Sequence, residues 1–474
     1  MTEHNHNPPH VIVIGAGFAG LAAVDDLRKA HVHVTIIDEN LYSAFQPLLY
    51  QVATGGLNPG DVSYPVGGFA SRRETRYIRG QLAAVDTAGR SVKLTDGRKF
   101  DFDYLVLATG MSANYFGLPG AAEYTFGLYT RADAIVLRDH IMNGFEQLSA
   151  DTGRREFAIT VVGGGATGVE LAGTLGELSS DVLKATFPDV DPSRVHVRLI
   201  EMAPELLMPF REKLRGYTKK QLEGRGVEVL LNTRLLSVRP DSVVIEGGKS
   251  LHSDLTVWAA GVAARDGVAG WGVPQGHSGR ILVGPDLRVQ GTDCIFAAGD
   301  IALNPDNPSP QLAQPALQEG AHVAAQIKSL IRGGETTSFS YHDKGMMATI
   351  GRRSAVVELP RGPVITGTLA WLAWLVLHLF YLIGVRNRVS TMINLSWRYL
   401  AWGHGGGVIV GDEPSEPLPS ETGSDSGSPA GADSSGTAPS RGTSRPTGSS
   451  RSGGPPSSEA SPSTGTGKQI SDTA

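Results

Sequence analysis

Val11-Ile12-Val13-Ile14-Gly15-Ala16-Gly17-Phe18-Ala19-Gly20 decides how this chain is read. Four β-branched residues in a row make a strand buried on both faces, as a parallel sheet covered by helices requires. The run stops at glycine, and a helical stretch from Gly17 to Ala30 follows. A second strand, His33 to Ile37, ends at Asp38. Strand, glycine turn, helix, strand and terminal acid together form a βαβ unit for a dinucleotide. Gly15 permits the turn, Gly17 lets a phosphate approach the backbone, and Gly20 packs helix on strand. Phe18 and Ala19 complete the loop, whose helix N-terminus offers unpaired N–H groups to a pyrophosphate. Asp38 or Glu39 stands where an acid binds ribose hydroxyls.

Further along, the strand Phe157 to Val162 runs into Gly163-Gly164-Gly165-Ala166-Thr167-Gly168, and the next strand, Val195 to Ile200, ends at Glu201. This is a second nucleotide site, with Gly163, Gly165, Thr167, Gly168 and Glu201 in the corresponding roles. Its insertion, Leu178 to Arg194, reads as an extended helix and loop. Met202 and Ala203 follow Glu201, with no arginine for a 2′-phosphate, which favours NADH over NADPH. Other buried strands end at Thr109-Gly110, at Gly261 and at Gly299-Asp300; a helix is expected from about Pro315 to Ile331. A nucleotide site at the N-terminus, completed by a late strand ending in Gly-Asp, is similar to the layout of disulfide-reductase-like flavoproteins. There the FAD domain is split, the NAD domain is inserted into it, and the late acid contacts the FAD ribityl chain. Read without that likeness, Asp300 is a turn or helix-cap acid.

The chain has 474 residues, a net charge of −5 and a single cysteine, Cys294. The charge gives no basic footprint, so nucleic acid is not an expected partner. One cysteine excludes an internal disulfide, a CxxC redox pair and a cysteine-ligated metal cluster, and no metal site is expected. Residues 1–9 are polar, are expected to be disordered and lack the apolar core of a signal peptide, so the catalytic part is expected in the cytoplasm. From Gly411 onward Ser, Gly, Pro, Thr and Asp dominate, and this tail is expected to be disordered.

With these motifs in place, the chain resembles the type II (alternative, non-proton-pumping) NADH dehydrogenases, single-subunit NADH:quinone oxidoreductases, over roughly residues 11–410. Beyond the glycine loops, Phe45-Gln46-Pro47-Leu48-Leu49-Tyr50-Gln51 is similar to the family's stretch beside FAD, and Gly163 to Glu170 to its NADH loop. Ala313-Gln314-Pro315-Ala316-Leu317-Gln318 fits its quinone-pocket pattern. Asp343-Lys344-Gly345-Met346-Met347-Ala348-Thr349-Ile350-Gly351 resembles the segment whose lysine lies near the flavin. The resemblance implies FAD and NADH as cofactors, hydride transfer from NADH to FAD, and two-electron reduction of a membrane quinone, menaquinone or ubiquinone, without proton pumping. It implies FAD contacts from Phe45, Gln46, Leu82, Thr109, Gly110, Gly299, Asp300, Ala313, Gln314 and Lys344, besides the first glycine loop. NADH contacts would come from the second loop, Glu170, Glu201 and Gly261. Related enzymes are often homodimers.

Residue chemistry supports the same roles. Gln314 and Gln318, at i and i+4, share one helix face; their amides can donate to a quinone carbonyl and accept from a quinol hydroxyl. An exposed polar helix start is the plain alternative. Glu170 stands near the nicotinamide end, to hold the carboxamide or relay protons, or else is an ordinary first-turn acid. Lys344 either brings positive charge to the flavin or is a surface lysine.

The C-terminal region carries the membrane question. Val364 to Val385 has no formal charge and is long enough to span a bilayer. However, Trp371, Trp374, His378 and Tyr381 gather on one helical face, where such rings prefer the headgroup level. Together with Val389 to Trp402 this reads as a monotopic, amphipathic anchor on the cytoplasmic side of the inner (plasma) membrane, against a lipid surface. A buried core helix and a true span are the competing readings.

The expected fold class is therefore α/β, with two Rossmann-like dinucleotide-binding domains, C-terminal membrane-anchor helices and a disordered tail. The divisions are 10–118 and 291–340 for FAD, 119–290 for NADH, 341–410 for anchoring and 411–474 for the tail. Two rivals remain: a soluble ferredoxin-reductase-like or apoptosis-inducing-factor-like flavoprotein with a protein acceptor, and a redox sensor that binds both nucleotides without turnover.

Overall fold

The structure, a computed structural model, describes residues 8–150 and 156–400. The expected disordered ends, 1–9 and 411–474, lie outside these residues apart from Pro8 and Pro9, as does 401–410 of the anchoring region. A five-stranded parallel sheet holds, in order, Ile295–Ala297, Tyr104–Leu107, His10–Ile14, His33–Asp38 and Arg76–Arg79. A four-stranded parallel sheet holds Val227–Leu230, Val195–Ile200, Phe157–Val162 and Leu255–Trp258. His10–Ile14 and Phe157–Val162, almost wholly buried, are interior strands of their sheets, where both faces of a strand are covered. The late strand Ile295–Ala297 joins the first sheet in register with Leu105 to Leu107, so chain from both ends of the sequence builds one layer.

The two halves repeat each other beyond the glycine loops. Each carries a three-stranded antiparallel meander: Leu82–Asp86, Ser91–Leu94 and Lys99–Asp101 in one, Leu235–Arg239, Ser242–Ile245 and Ser250–His252 in the other. Both loops also make the same backbone contact. A Cβ on Gly20 would lie 1.9 Å from the Gly15 carbonyl oxygen, and one on Gly168 would lie 1.8 Å from that of Gly163. Gly15 and Gly163 themselves take φ of +102° and +113°, which L residues avoid.

The C-terminal region divides in two. Residues Met346–Gly351, Ser354–Glu358 and Val364–Thr366 form an antiparallel sheet with Ala348, Ile350, Ala355 and Val356 in the core. It lies on the second glycine-loop helix, Ala166–Glu177, so closely that a Cβ on Gly173 would come 2.0 Å from the Ile350 carbonyl oxygen. Helices Gly367–Tyr381 and Val385–Leu400 follow. The uncharged stretch 364–385 is thus a strand end, a helix and a turn, and among the described residues no helix is long and apolar enough to cross a membrane.

One sequence expectation is overturned. Trp371 and Trp374 do not face outward: both are buried, and the Trp374 ring stacks on His378, with centroids 4.1 Å apart, and packs against Tyr50. The aromatic face is the inner one because large rings offer the most area to bury against the core. The outer face is apolar too, with Leu369, Val376 and Phe380 at 72%, 66% and 66% exposure.

The packing at Gly173 leaves no room for a methyl group. Gly173→Ala should lower stability by about 1–3 kcal/mol, read as a fall in the denaturant midpoint at unchanged slope; an unchanged midpoint would overturn the close approach.

Candidate active site

Both glycine loops are held by the acid that ends the next strand. Asp38 accepts from the Ala16 amide (2.6 Å) and the Asn40 amide (2.7 Å). Glu201 accepts from the Gly164 amide and from that of Ala203 (2.7 Å). In each case the donor is the second residue of the loop and the amide two residues past the acid. Of the two acids the sequence left open, Asp38 holds the loop. Glu39 instead makes an ion pair with Arg265, which arrives from the far side of the inserted segment. Burial pushes the Asp38 carboxyl up despite its two amide partners.

The surroundings of the first loop fit a flavin dinucleotide. Gly17 and Gly110 face open space where a side chain would sit, and Thr109 Oγ1 is buried without a hydrogen-bond partner. Asp300 follows Gly299, whose φ of +77° sets the turn. Burial raises the Asp300 carboxyl, opposed by Arg280, whose Nε donates to the Asp300 carbonyl (2.9 Å). Glu319, in the second turn of the helix Ala313–Ile331, accepts from the Gly299 amide (2.7 Å), and burial lifts it to about 7. Tyr129 stands close enough to Asp300 to be pushed up to about 12, mainly by burial. Glu319, Arg280 and Tyr129 escaped the sequence reading, since nothing local distinguishes them from surface residues. Phe45 is buried, edge-on to Phe18 (5.6 Å) and His378 (6.2 Å). Gln46 is exposed, with its amide near the Tyr129 carbonyl, and Leu82 is buried, its carbonyl accepting from Trp271.

At the second loop, Gly165 and Thr167 are exposed while Glu170 lies beneath. Its carboxylate accepts from the Thr349 amide (3.2 Å). The Trp374 indole is near enough to lower its pKa but closes no hydrogen bond of good geometry. Burial dominates and lifts Glu170 to about 8. His378 donates from Nδ1 to the Trp374 carbonyl (2.7 Å), and burial depresses its pKa to about 4, so its ring is neutral near pH 7. Gly261, at φ +158°, lies under the Phe116 ring. Gln318 makes a two-way amide pair with the His342 backbone, 3.0 Å in each direction. That pairing ties the helix to the segment carrying Lys344, which is exposed. Gln314, half-buried, begins the same helix together with Ala313. A narrow cavity of about 60 Å³ opens nearby, lined by Phe18, Phe45, Val62, Leu317, Tyr381 and Ile383 among others. Nothing in the sequence signalled it, because its walls come from five separate segments of the chain.

Comparison with known proteins places this geometry. Residues 9–320 match the family model described as pyridine nucleotide-disulphide oxidoreductase, and residues 343–401 match the NDH2 C-terminal domain. The chain is 37% identical over 418 residues to a type II NADH:quinone oxidoreductase of Mycobacterium tuberculosis, covering 83% of this chain and 89% of that protein. It is 32% identical over 366 residues to the type II NADH:quinone oxidoreductase of Staphylococcus aureus, covering 73% and 88%. In fold it is similar to NDH2 from Plasmodium falciparum, solved in complex with NADH, at a TM-score of 0.78, 20% identity and 84% and 99% coverage. The sulfide:quinone oxidoreductase of Aquifex aeolicus shares the fold at a TM-score of 0.64, 21% identity and 80% and 92% coverage.

A carboxyl whose folded pKa of about 8 exceeds its ordinary 4.5 binds its proton more tightly when folded, so its contribution to stability is full at low pH and declines as pH rises toward 8. Glu319 acts in the same sense up to about 7. Between about pH 5 and about pH 8, Glu170→Gln should therefore lose less thermal stability than the parent, by about 3 °C or more. Parallel curves in calorimetry would contradict the buried acid.

Proposed function

The chain belongs to the type II NADH:quinone oxidoreductases, and from that premise we propose how its own residues divide the work. The enzyme oxidises NADH and reduces a quinone, with FAD as its resident cofactor. When bound, FAD would supply the two-electron redox chemistry between NADH and quinone.

Residues 10–118 and 291–340 hold the FAD, and 119–290 the NADH. Gly15 to Gly20 present helix N–H groups to the FAD pyrophosphate; Thr109 and Gly110 supply polar and backbone contacts, and Asp300 takes the ribityl hydroxyls. Gly163 to Gly168, Glu201 and Gly261 seat NADH, and Glu170 keeps a proton on its carboxyl at neutral pH beside the nicotinamide end. Gln314 faces the arriving quinone. Gln318, through its bond to His342, holds the segment of Lys344 in place. The cavity between Phe45 and the Tyr381–Ile383 turn is the quinone's route in.

The observation that carries this reading is the position of that cavity, beside a broad apolar surface. Leu369, Val376 and Phe380 on one helix and Met392, Ile393 and Trp397 on the next are all exposed. A surface of this kind fits a lipid interface, and the two helices lie on the cytoplasmic leaflet as a monotopic anchor. Either menaquinone or ubiquinone, with its long apolar tail, would reach the site from lipid. A protein acceptor would need neither the apolar surface nor the cavity opening beside it.

Under anaerobic conditions NADH should bleach the flavin colour, and a quinone should restore it faster than a ferredoxin does; colour that returns only with ferredoxin would sink the assignment. Gln318→Ala should leave bleaching by NADH intact and slow recolouring by quinone about tenfold, through loss of the amide pair that holds the Lys344 segment. Val376→Asp with Phe380→Asp should weaken association with lipid vesicles by roughly a hundredfold or more, measured by co-flotation; unchanged flotation would rule out this face as the anchor.

A further inference from the structure

The last helix, Val385–Leu400, is inverted relative to an ordinary surface helix. Its apolar residues Val385, Val389, Met392, Ile393 and Trp397 are exposed, while Asn387 and Thr391 are buried. Hydrophobic burial therefore cannot seat its first turns. Toward its end Leu395 and Tyr399 are buried, with Tyr399 edge-on to Trp371 (4.8 Å). At its start the contacts are polar and converge on one buried acid of the flavin-side loop. Asp61 accepts from Ser390 Oγ (2.6 Å) at one carboxylate oxygen and from Asn394 Nδ2 (2.7 Å) at the other, which also accepts from the Asn58 amide (3.0 Å). Thr391 Oγ1 donates to the Asp61 carbonyl (3.5 Å), and Asn387 Nδ2 donates to the Ser63 carbonyl (2.8 Å).

The loop and the helix that this cluster joins also form two walls of the apolar cavity, through Val62 on one side and Asn387 on the other. We propose that Asp61 is a positioning residue for quinone reduction: its hydrogen bonds to Ser390 and Asn394 hold the last helix against the flavin-side loop and so set the width of the quinone's entry. The proposal rests on the reading of that cavity as the quinone route. Charge-assisted hydrogen bonds in a buried site are strong and directional, so the latch fixes a geometry that apolar packing could not. Asp61 does not line the cavity; it acts through the helix. Without the latch, the first turns of the helix open locally while the nucleotide-binding halves stay intact.

The test uses the full-length flavin-loaded enzyme in phosphatidylcholine vesicles with a long-tailed benzoquinone, and ferricyanide as a soluble acceptor that bypasses the cavity. Asn394→Asp sets two carboxylates face to face and breaks the latch. The expected result is amide exchange over 385–400 faster by about tenfold or more, with the KM for quinone up about tenfold. Flavin content and NADH:ferricyanide turnover should be unchanged. Combining it with Asp61→Asn restores an amide–carboxylate pair in reversed order and should return both values most of the way to those of the parent, the Asn58 amide alone losing its acceptor. If Asn394→Asp does not fold, Ser390→Ala, which removes one donor, should shift both readouts in the same direction by about threefold. Faster exchange with an unchanged quinone KM, unchanged exchange, or a double variant that restores neither would overturn the latch. A parent enzyme that reduces ferricyanide but no quinone would instead overturn the functional reading beneath it.

Discussion

Backbone lies against backbone at Gly20 and at Gly168, and the shape of both glycine loops follows from those two contacts. With no Cβ in the way, each helix begins directly over the end of its strand, and its first N–H groups are left pointing outward. The strand-end acids Asp38 and Glu201 then fix the loops from behind, each taking the amide of the loop's second residue. A larger residue at either glycine would push the helix away and leave the acid without its loop partner. The two sites are thus one solution used twice, down to the meander that each half carries beside its sheet.

Around this repeated frame the polar groups sit deep. Glu170, Asp300 and Glu319 are all raised by burial, and His378 is lowered by it. Each shift is in the direction of the neutral form, because burial penalises charge on all four groups. In such surroundings a change of charge on a bound group is felt strongly, because little water is present to screen it. Arg280 is the buried cation that offsets the acids near the late turn, through the carbonyls of Asp300 and Ala302 as well as through charge.

What the sequence disclosed was what is local. The glycine loops, their strands and the terminal acids are contiguous, and period and spacing alone locate them. Gln318 shows the limit: its place on a helix face is readable, but its bond to the His342 backbone joins residues far apart in the chain. The cavity walls, the Glu319–Gly299 bond and the Arg265–Glu39 pair were illegible for the same reason. The aromatic face of Gly367–Tyr381 was misjudged because rings suit a headgroup layer and a protein core equally well, and only the tertiary partner, here Tyr50 from the flavin-side segment, decides between them. The residue choice between Asp38 and Glu39 also needed the fold, since both stand at the strand end.

The late strand has a bearing on how the chain is made. Tyr104–Leu107 acquires its outer neighbour only when Ile295–Ala297 has been synthesised, so the nascent first sheet waits with one margin unsatisfied while the whole inserted unit leaves the ribosome. At about 5–20 residues per second that interval is on the order of ten to forty seconds. An unpaired parallel edge rich in Leu and Val is a ready partner for another chain. The inserted unit, folding meanwhile on contacts among its own strands, shortens the distance the late strand must search, and translation speed across residues 108–294 becomes a determinant of yield.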